Sequence, residues 1–486
     1  MWVWGSGTSI IQDSSSRAEF FHFCANPPGS KDPNAVAGFP GAVNMVYLYA
    51  HSFVNGDSTH KAELHSFLKD AHSLGIRVDY LDGDTTWATT DSLYAEQYVR
   101  YVLQFNLQTS DPSERFDGIQ FDVEPYLLWG WKQGVTQQIQ IWNDFMDLLT
   151  YCKKEVDSAN AGTQFGVAIP RWYDSTPGIN YLHQLQNIVD YVAIMDYQNT
   201  SARIISGAGA EILYATQIGK AAYIGVETSN QDAALTFYGL GWGNMEGQMY
   251  QVDEYFRGYG GYAGIAIEHY DSYDVLPKWG TGGTDTTPPA LIGGRYIQDS
   301  AGGYFQFHVV DICGSGLNED STEAGSRAVN LSSGSESVAG SWVTDSTNYI
   351  SFHPVPGAQA LAKYLFTIHA VDSVGNSLDT KDTIAAVPTE IEEGRTGYLK
   401  NFDLLQNYPN PFNPTTIIAF DVQSSGFVAL KVYDILGRRV ATLVDGRQSA
   451  GKHSVVFDGS RFASGVYFYA LQQGSLVLRD KMLLLK

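Results

Sequence analysis

The first 280 residues contain eight short apolar runs separated by longer stretches, several of which repeat apolar residues every three or four positions. The runs are Trp2–Trp4, Val43–Ala50, Ile76–Leu81, Gly118–Glu124, Phe165–Pro170, Tyr191–Tyr197, Ala221–Glu227 and Tyr262–Tyr270. Short runs rich in β-branched and aromatic residues read as strands. The intervening periods, such as KAELHSFLKDAHSLG, QQIQIWNDFMDLLTYCKKEV and NYLHQLQNIV, read as amphipathic helices. A helix between consecutive strands is the crossover a parallel sheet needs, and eight such units are the arithmetic of a (β/α)8 TIM barrel. The spacing predicts that barrel over residues 1–280.

A Gly/Thr/Pro linker, GTGGTDTTPP, follows at 280–289 and separates two regions of different texture. Over 281–388, Ser/Gly-rich turns punctuate alternating runs such as YFQFHVVD, YISFHPV and YLFTIHAVD, the pattern of an immunoglobulin-like β-sandwich. A second linker, AVPTEIEEGRTG, opens 389–486, where PNP, LG, DG, AG and SG turns divide a second small all-β sandwich. The formal net charge of −22 argues against a binder of nucleic-acid phosphates and suits an extracellular protein. Cys24, Cys152 and Cys313 cannot all pair and lack metal-ligand spacing, so the fold is expected to need neither disulfides nor a metal, and no cofactor is called for. No stretch is long enough for a transmembrane helix. Met1 leads directly into a strand, so a signal peptide is expected to have been removed if the protein is exported.

Within the fourth run, FDGIQFDVEP places Gln120, Asp122 and Glu124 at alternate positions, on one face of a strand, and Ile119, Phe121 and Val123 on the other. Acids in a core are costly unless they are paired or used, which leaves two readings, a hydrogen-bonded structural pair or an acid/base site. Barrel enzymes keep their chemistry at the C-terminal strand ends. There the sequence puts Asp122 and Glu124 from the fourth strand, Met195 and Tyr197 from the sixth, Glu227 from the seventh, and Glu268, His269 and Tyr270 from the eighth. Asp79, Asp82 and Asp84 come from the third strand without the spacing of a calcium loop. Trp87, Trp129, Trp131, Trp172 and Trp242 follow strand ends, where flat rings can stack on sugars, so the set favours a carbohydrate. Arg171 and Trp172 are read as groove-lining or ordinary loop residues. His51 and His269 are read mainly as packed mouth residues.

DGIQFDVE, Asp117 to Glu124, and Met195-Asp196-Tyr197 resemble the fourth-strand D-G-x-D-x-D-x-E and sixth-strand M-x-Y patterns of glycoside hydrolase family 18, the chitinases and endo-β-N-acetylglucosaminidases. The resemblance implies that Glu124 donates the proton to the leaving oxygen, Asp122 steadies a 2-acetamido group, Tyr197 hydrogen-bonds it, and Asp117 is a supporting acid. The acetamido oxygen would then serve as nucleophile. This chain departs from the pattern at Gln120, the middle acid, at Gln198, usually Asp, and at Glu268, where the family places a tryptophan floor. Trp87, Trp129, Trp172, Gln120, Gln198, Met195, Asp117, Glu227, Glu268 and Tyr270 form the expected substrate-binding set. A two-carboxylate retaining mechanism with Glu227 or Glu268 as second acid stays open, as does a non-catalytic glycan-binding or cell-surface structural role.

Two further resemblances concern the other regions. TPPALI, VVDICGSGLN and FTIHAVDSVGNSL resemble bacterial Ig-like modules appended to secreted enzymes. NYPNPFNPTT, VYDILGRRV, FASGVYFY and the closing KMLLLK, within Asn401–Lys486, closely resemble the C-terminal sorting domain of type IX secretion cargo. That resemblance implies export across the outer membrane of a Bacteroidetes-type bacterium, with the secretion machinery as a partner, and release or attachment at the cell surface.

Overall fold

The computed structural model describes residues 1–280 apart from 36–38, 160–161 and 174–180. Beyond 280 it describes all but 281–282, 286, 300–301, 312–313, 316, 319–320, 323–325, 331–337, 345–348, 356–362, 386–402, 405–406, 408–411, 423–425, 435–437, 450, 474–475 and 485–486. Cys313 lies outside the described residues, whereas Cys24 and Cys152 are buried free thiols.

The eight runs form one parallel sheet in chain order: β1 (Trp2–Val3), β2 (Met45–Tyr49), β3 (Arg77–Asp82), β4 (Gly118–Phe121), β5 (Gln164–Pro170), β6 (Tyr191–Met195), β7 (Ala221–Glu227) and β8 (Tyr262–Glu268). A helix follows each of the first seven strands, and β1 lies against β8, bringing the two edges of the sheet together. The result is a TIM-like barrel. Residues with odd and even parity on each strand separate cleanly, as strand geometry requires. Ile119, Phe121 and Val123 face the helices, where Phe121 meets Trp87 at 5.3 Å and Phe165 at 5.1 Å between ring centres.

The interior is filled from the other parity. Trp2, Tyr47, Leu81, Tyr191, Ala193 and Ala266 form a separate inner core, with Tyr223 packed against it. Beneath it Asp79, fully buried, receives two 2.9 Å bonds from the Arg77 guanidinium and one of 2.6 Å from the Tyr191 hydroxyl. Glycines on neighbouring strands make this packing possible. A Cβ at Gly166 would run into the Tyr191 ring, and one at Gly118 into the Asp79 carboxylate. Large side chains from β1, β2, β3, β6 and β7 thus occupy the room that β4 and β5 leave.

One local expectation fails. β4 stops at Phe121, not at Glu124; Asp122 N still donates to Asp82 O at 3.0 Å, and Pro125 then begins a 3₁₀ turn, Pro125–Leu127. Proline has no N–H for a ladder and restricts the residue before it, so Glu124 leaves the strand. Strict alternation therefore does not carry the face of Gln120 on to Glu124.

After the barrel come antiparallel sheets. β9 (Ala290–Asp299), β10 (Gly302–Val310), β12 (Gly340–Thr344) and β13 (Tyr349–Pro354) make one, and β11 (Arg327–Asn330), β14 (Lys363–Val371) and β15 (Ser377–Ala385) another. Phe305, Phe307 and Phe352 of the first pack on Tyr364, Phe366 and Ile368 of the second. The buried carboxylates of Asp285, Asp311 and Asp372 come within 4.8 Å of one another in this unit. The last unit has two further sheets. One holds β16 (Asp403–Leu404), β17 (Thr415–Val422) and β20 (Gly451–Asp458); the other holds β18 (Gly426–Tyr433), β19 (Arg439–Gln448), β21 (Gly465–Gln473) and β22 (Leu476–Leu484).

Candidate active site

Four acids stand at the C-terminal end of the barrel. Glu227 and Glu268 are register partners on β7 and β8, so their side chains leave the sheet on the same side. Their parity is that of Tyr223 and Ala266, which belong to the inner core, so both rise from the interior. Asp122 and Glu124 follow β4 across the mouth. Tyr197, just past β6, senses all four: its hydroxyl is held well above the ordinary tyrosine range by burial and then by the charges of Glu268, Asp122, Glu227 and Glu124.

The four are held differently. Glu124 is half-buried, and its Oε1 accepts a hydrogen bond from the Tyr126 hydroxyl. Tyr126 is itself kept protonated, its pKa raised by burial and by the Glu124 charge. Asp122 has one carboxylate oxygen buried without a hydrogen-bond partner, and burial together with the nearby Glu124 charge pushes it up to about 7. Glu227 accepts from Ser229 N at 2.6 Å. Glu268 is pushed well above the carboxylate range by burial and by the charges of Asp122 and Glu227, with the Trp4 side chain close enough to oppose part of the shift. Beneath Asp122, the Gln120 amide is fully buried with neither its oxygen nor its nitrogen hydrogen-bonded. Among the described residues, no lysine or arginine forms an ion pair with any of the four acids.

The aromatic rim differs from the expected one. Trp172 packs edge-on against Tyr126 at 5.2 Å and so flanks Glu124, while Trp129 stands 76% exposed on the following 3₁₀ turn. Trp87 is corrected: it is buried against Tyr98 and Phe121 beneath the helix Ser92–Leu107 and has no face toward the mouth. Tyr270 is corrected likewise, being packed between Phe20 at 5.0 Å and Phe23 at 5.1 Å. Trp131 stacks in the interior with Tyr181, and Trp242 packs toward Phe39 and Tyr250 beside the first residues of the next unit. The sequence reading missed Trp4. Trp2 faces the barrel interior, and the residue two further along a strand keeps that face, which brings Trp4 to the rim beside Tyr49 at 5.8 Å and onto Glu268.

The remaining expected residues separate by position. Asp117 is corrected: it precedes β4, at the opposite end of the barrel, where it accepts from Val78 N at 2.8 Å and pairs with His72 Nε2 at 2.9 Å. Met195 ends β6 in a buried position under the mouth. Gln198 is buried, its amide donating to the carbonyl of Tyr197 at 2.8 Å, so it is spent on its own backbone. On β3, Asp79 belongs to the barrel floor; Asp82 binds His51 at 2.6 Å and the Tyr80 hydroxyl at 2.5 Å; and Asp84 caps the 3₁₀ turn at Thr86 N. His269 lies 3.5 Å from Asp271. A separate cavity of about 310 Å³, lined by Tyr47, Tyr223, Glu246 and Gly264, opens toward the N-terminal ends of β2 and β8, away from these acids.

Asp196, between Met195 and Tyr197, points the other way, toward Gly207 of the helix Ser201–Ile218. It is fully buried, neither oxygen is hydrogen-bonded, and the Arg171 guanidinium is 3.8 Å away. Burial pushes it up to about 8 in spite of Arg171. A folded-state value above the unfolded one means that stability is fully present below the ordinary 3.8 and is lost as pH rises through about 8. Asp196→Asn is therefore expected to stabilise the barrel at pH 9 by on the order of a few kcal/mol and to be near neutral at pH 4, read by denaturant titration at both. Equal effects at the two pH values would show that this carboxyl does not titrate as described.

With the geometry established, similarity to known proteins can be placed on it. Residues 406–485 match the model of the secretion system C-terminal sorting domain. That segment is a type IX secretion sorting domain. The sorting domain directs the chain to the outer surface or the extracellular space. No helix among the described residues is long and apolar enough to cross a membrane. No curated protein matches the chain. Among solved structures, β-glucuronidase 2 of Bacteroides uniformis is 10% identical with a TM-score of 0.35, covering 96% of this chain and 62% of its own. A group II chitinase catalytic domain of Ostrinia furnacalis is 14% identical with a TM-score of 0.26, covering 41% and 62%. Latent PorU of Porphyromonas gingivalis is 15% identical with a TM-score of 0.20, covering 41% and 20%. The chain spans less than two thirds of each of these three, and likeness at this level carries no argument about activity.

Proposed function

We propose that the barrel, residues 1–280, is an extracellular glycoside hydrolase acting on a polysaccharide or glycan, joined by an immunoglobulin-like spacer, 281–388, to the sorting region, 389–486. The observation that carries this reading is Glu124. It stands just past β4 with its carboxylate bonded by the Tyr126 hydroxyl, Trp172 edge-on against that tyrosine, and unpaired with any lysine or arginine among the described residues. In hydrolysis the C1–O bond breaks as Glu124 gives its proton to the leaving oxygen; water then adds to C1 and its second proton restores Glu124. Asp122 and Tyr197 are positioned to orient the sugar bonded at C1.

A second mechanism is favoured by a specific feature. Glu227 and Glu268 stand side by side on β7 and β8, supplying a second carboxylate, whereas the acetamido-assisted route needs none. Comparing N-acetylated with plain sugar substrates separates the routes, since cleavage without the acetamido group excludes substrate assistance. The whole reading is tested by release of reducing ends from a glycan panel; binding without release would assign the barrel to glycan recognition.

Tyr126→Phe removes the hydroxyl that holds Glu124. A hydrogen bond to the neutral acid contributes about 0.5–1.5 kcal/mol, so kcat is expected to fall by up to about tenfold with little change in KM. Unchanged kcat would show that this contact does not position the acid.

A further inference from the structure

We propose that the mouth recognises an amine-bearing sugar, a 2-amino-2-deoxyhexose unit whose ammonium sits among Asp122, Glu227 and Glu268. This rests on the hydrolase reading of the same mouth and names its substrate class. Two observations support it together. First, acids from β7 and β8 stand in register with Asp122 close by, and among the described residues no lysine or arginine pairs with them. Second, the polar groups there are unspent: Gln120 is fully buried with both ends of its amide unbonded, and one oxygen of Asp122 is buried without a partner. Buried polar groups of this kind are normally satisfied, and here a ligand must do it.

The departures from the family 18 pattern fit the same ligand. A tryptophan at the end of β8 would offer an apolar floor; Glu268 offers an acid in register with Glu227. An amine on C2 is two bonds from the scissile carbon, so it reaches acids beside Glu124 without displacing the ring from it. The Trp4 indole, near Glu268, and the Tyr49 ring 5.8 Å from it leave an aromatic wall for the sugar's C–H face. Burial and mutual repulsion keep Glu268 and Asp122 raised toward their protonated forms. An arriving ammonium would favour their ionised forms, so binding would release protons.

The test compares β-1,4-linked hexamers of glucosamine, N-acetylglucosamine and glucose. Binding is measured calorimetrically on the full chain carrying Glu124→Gln, so that nothing is consumed. The glucosamine hexamer is expected to bind about tenfold or more tighter than either other hexamer at low salt. That advantage should shrink as sodium chloride is raised. Its binding heat should vary with the ionisation enthalpy of the buffer, reporting proton release. Adding Glu227→Gln and Glu268→Gln should erase the advantage, whereas Asp147→Asn, one acid fewer on the exposed face of the helix Val135–Ala159, should leave it. Equal or tighter binding of a neutral hexamer overturns the proposal. So does an advantage that survives the loss of both glutamates, or no binding of the glucosamine hexamer. Reducing ends are measured separately with the unmodified chain. Amine-selective binding without them keeps this site and overturns the hydrolase reading. Cleavage without amine preference does the reverse.

Discussion

Glu124→Gln is expected to lower hydrolysis by about 10²–10⁴-fold, the range a positioned general acid contributes. Glutamine keeps the shape and can still accept from the Tyr126 hydroxyl, but it has no proton to give to the leaving oxygen. The variant should unfold at the same denaturant midpoint as the parent, because Glu124 is half-buried and no cation is left unpaired by the change. Rate and stability are thus separable, and the loss should fall on kcat with substrate binding retained. A substrate that the parent cleaves and the variant cleaves equally fast would remove Glu124 from the chemistry.

Arg77→Ala should damage the barrel strongly, costing on the order of 3 kcal/mol, because it strips the partner of a fully buried acid while the guanidinium itself is 28% exposed. The guanidinium gives Asp79 two bonds of 2.9 Å, and Asp79 has no exposure through which water could replace them. The Tyr191 hydroxyl, at 2.6 Å, would remain as one donor to an otherwise uncompensated carboxylate. Arg77→Ala combined with Asp79→Asn should recover part of the loss, since the stranded charge goes with it. Chemical denaturation followed by tryptophan fluorescence reads both. A loss of well under 1 kcal/mol for Arg77→Ala would show that Asp79 is not charged in the folded barrel.

The strands were legible because each is a compact apolar run bounded by helical periods, and β7 in particular runs from Ala221 to Glu227 in both the sequence and the structure. The mouth was only partly legible. Glu227 and Glu268 were reached as acids at strand ends, and the β7–β8 register is what pairs them. Asp117 did not, although its place before the strand, and not after it, already located it at the wrong end of the barrel. Trp87 and Tyr270 were misplaced because sequence gives the end of a strand but not the direction in which the next ring turns. Tyr98 and Phe121 claim Trp87, while Phe20 and Phe23 claim Tyr270. Trp4 was overlooked although the run Trp2–Trp4 put it on the face of Trp2, because it lies just past the strand Trp2–Val3. The domain limits at 280 and 388 remain proposals that limited proteolysis can test.

The plugged interior has a consequence for traffic. With Tyr47, Tyr191, Tyr223 and the Arg77–Asp79 pair filling the lower barrel, there is no tunnel through its axis. A long glycan cannot be threaded like a rope through a ring. On the proposed hydrolase reading, the glycan would lie across the rim and depart by the side from which it came, so both fragments of a cut chain would compete for one doorway and the slower to leave would set the pace on polymer.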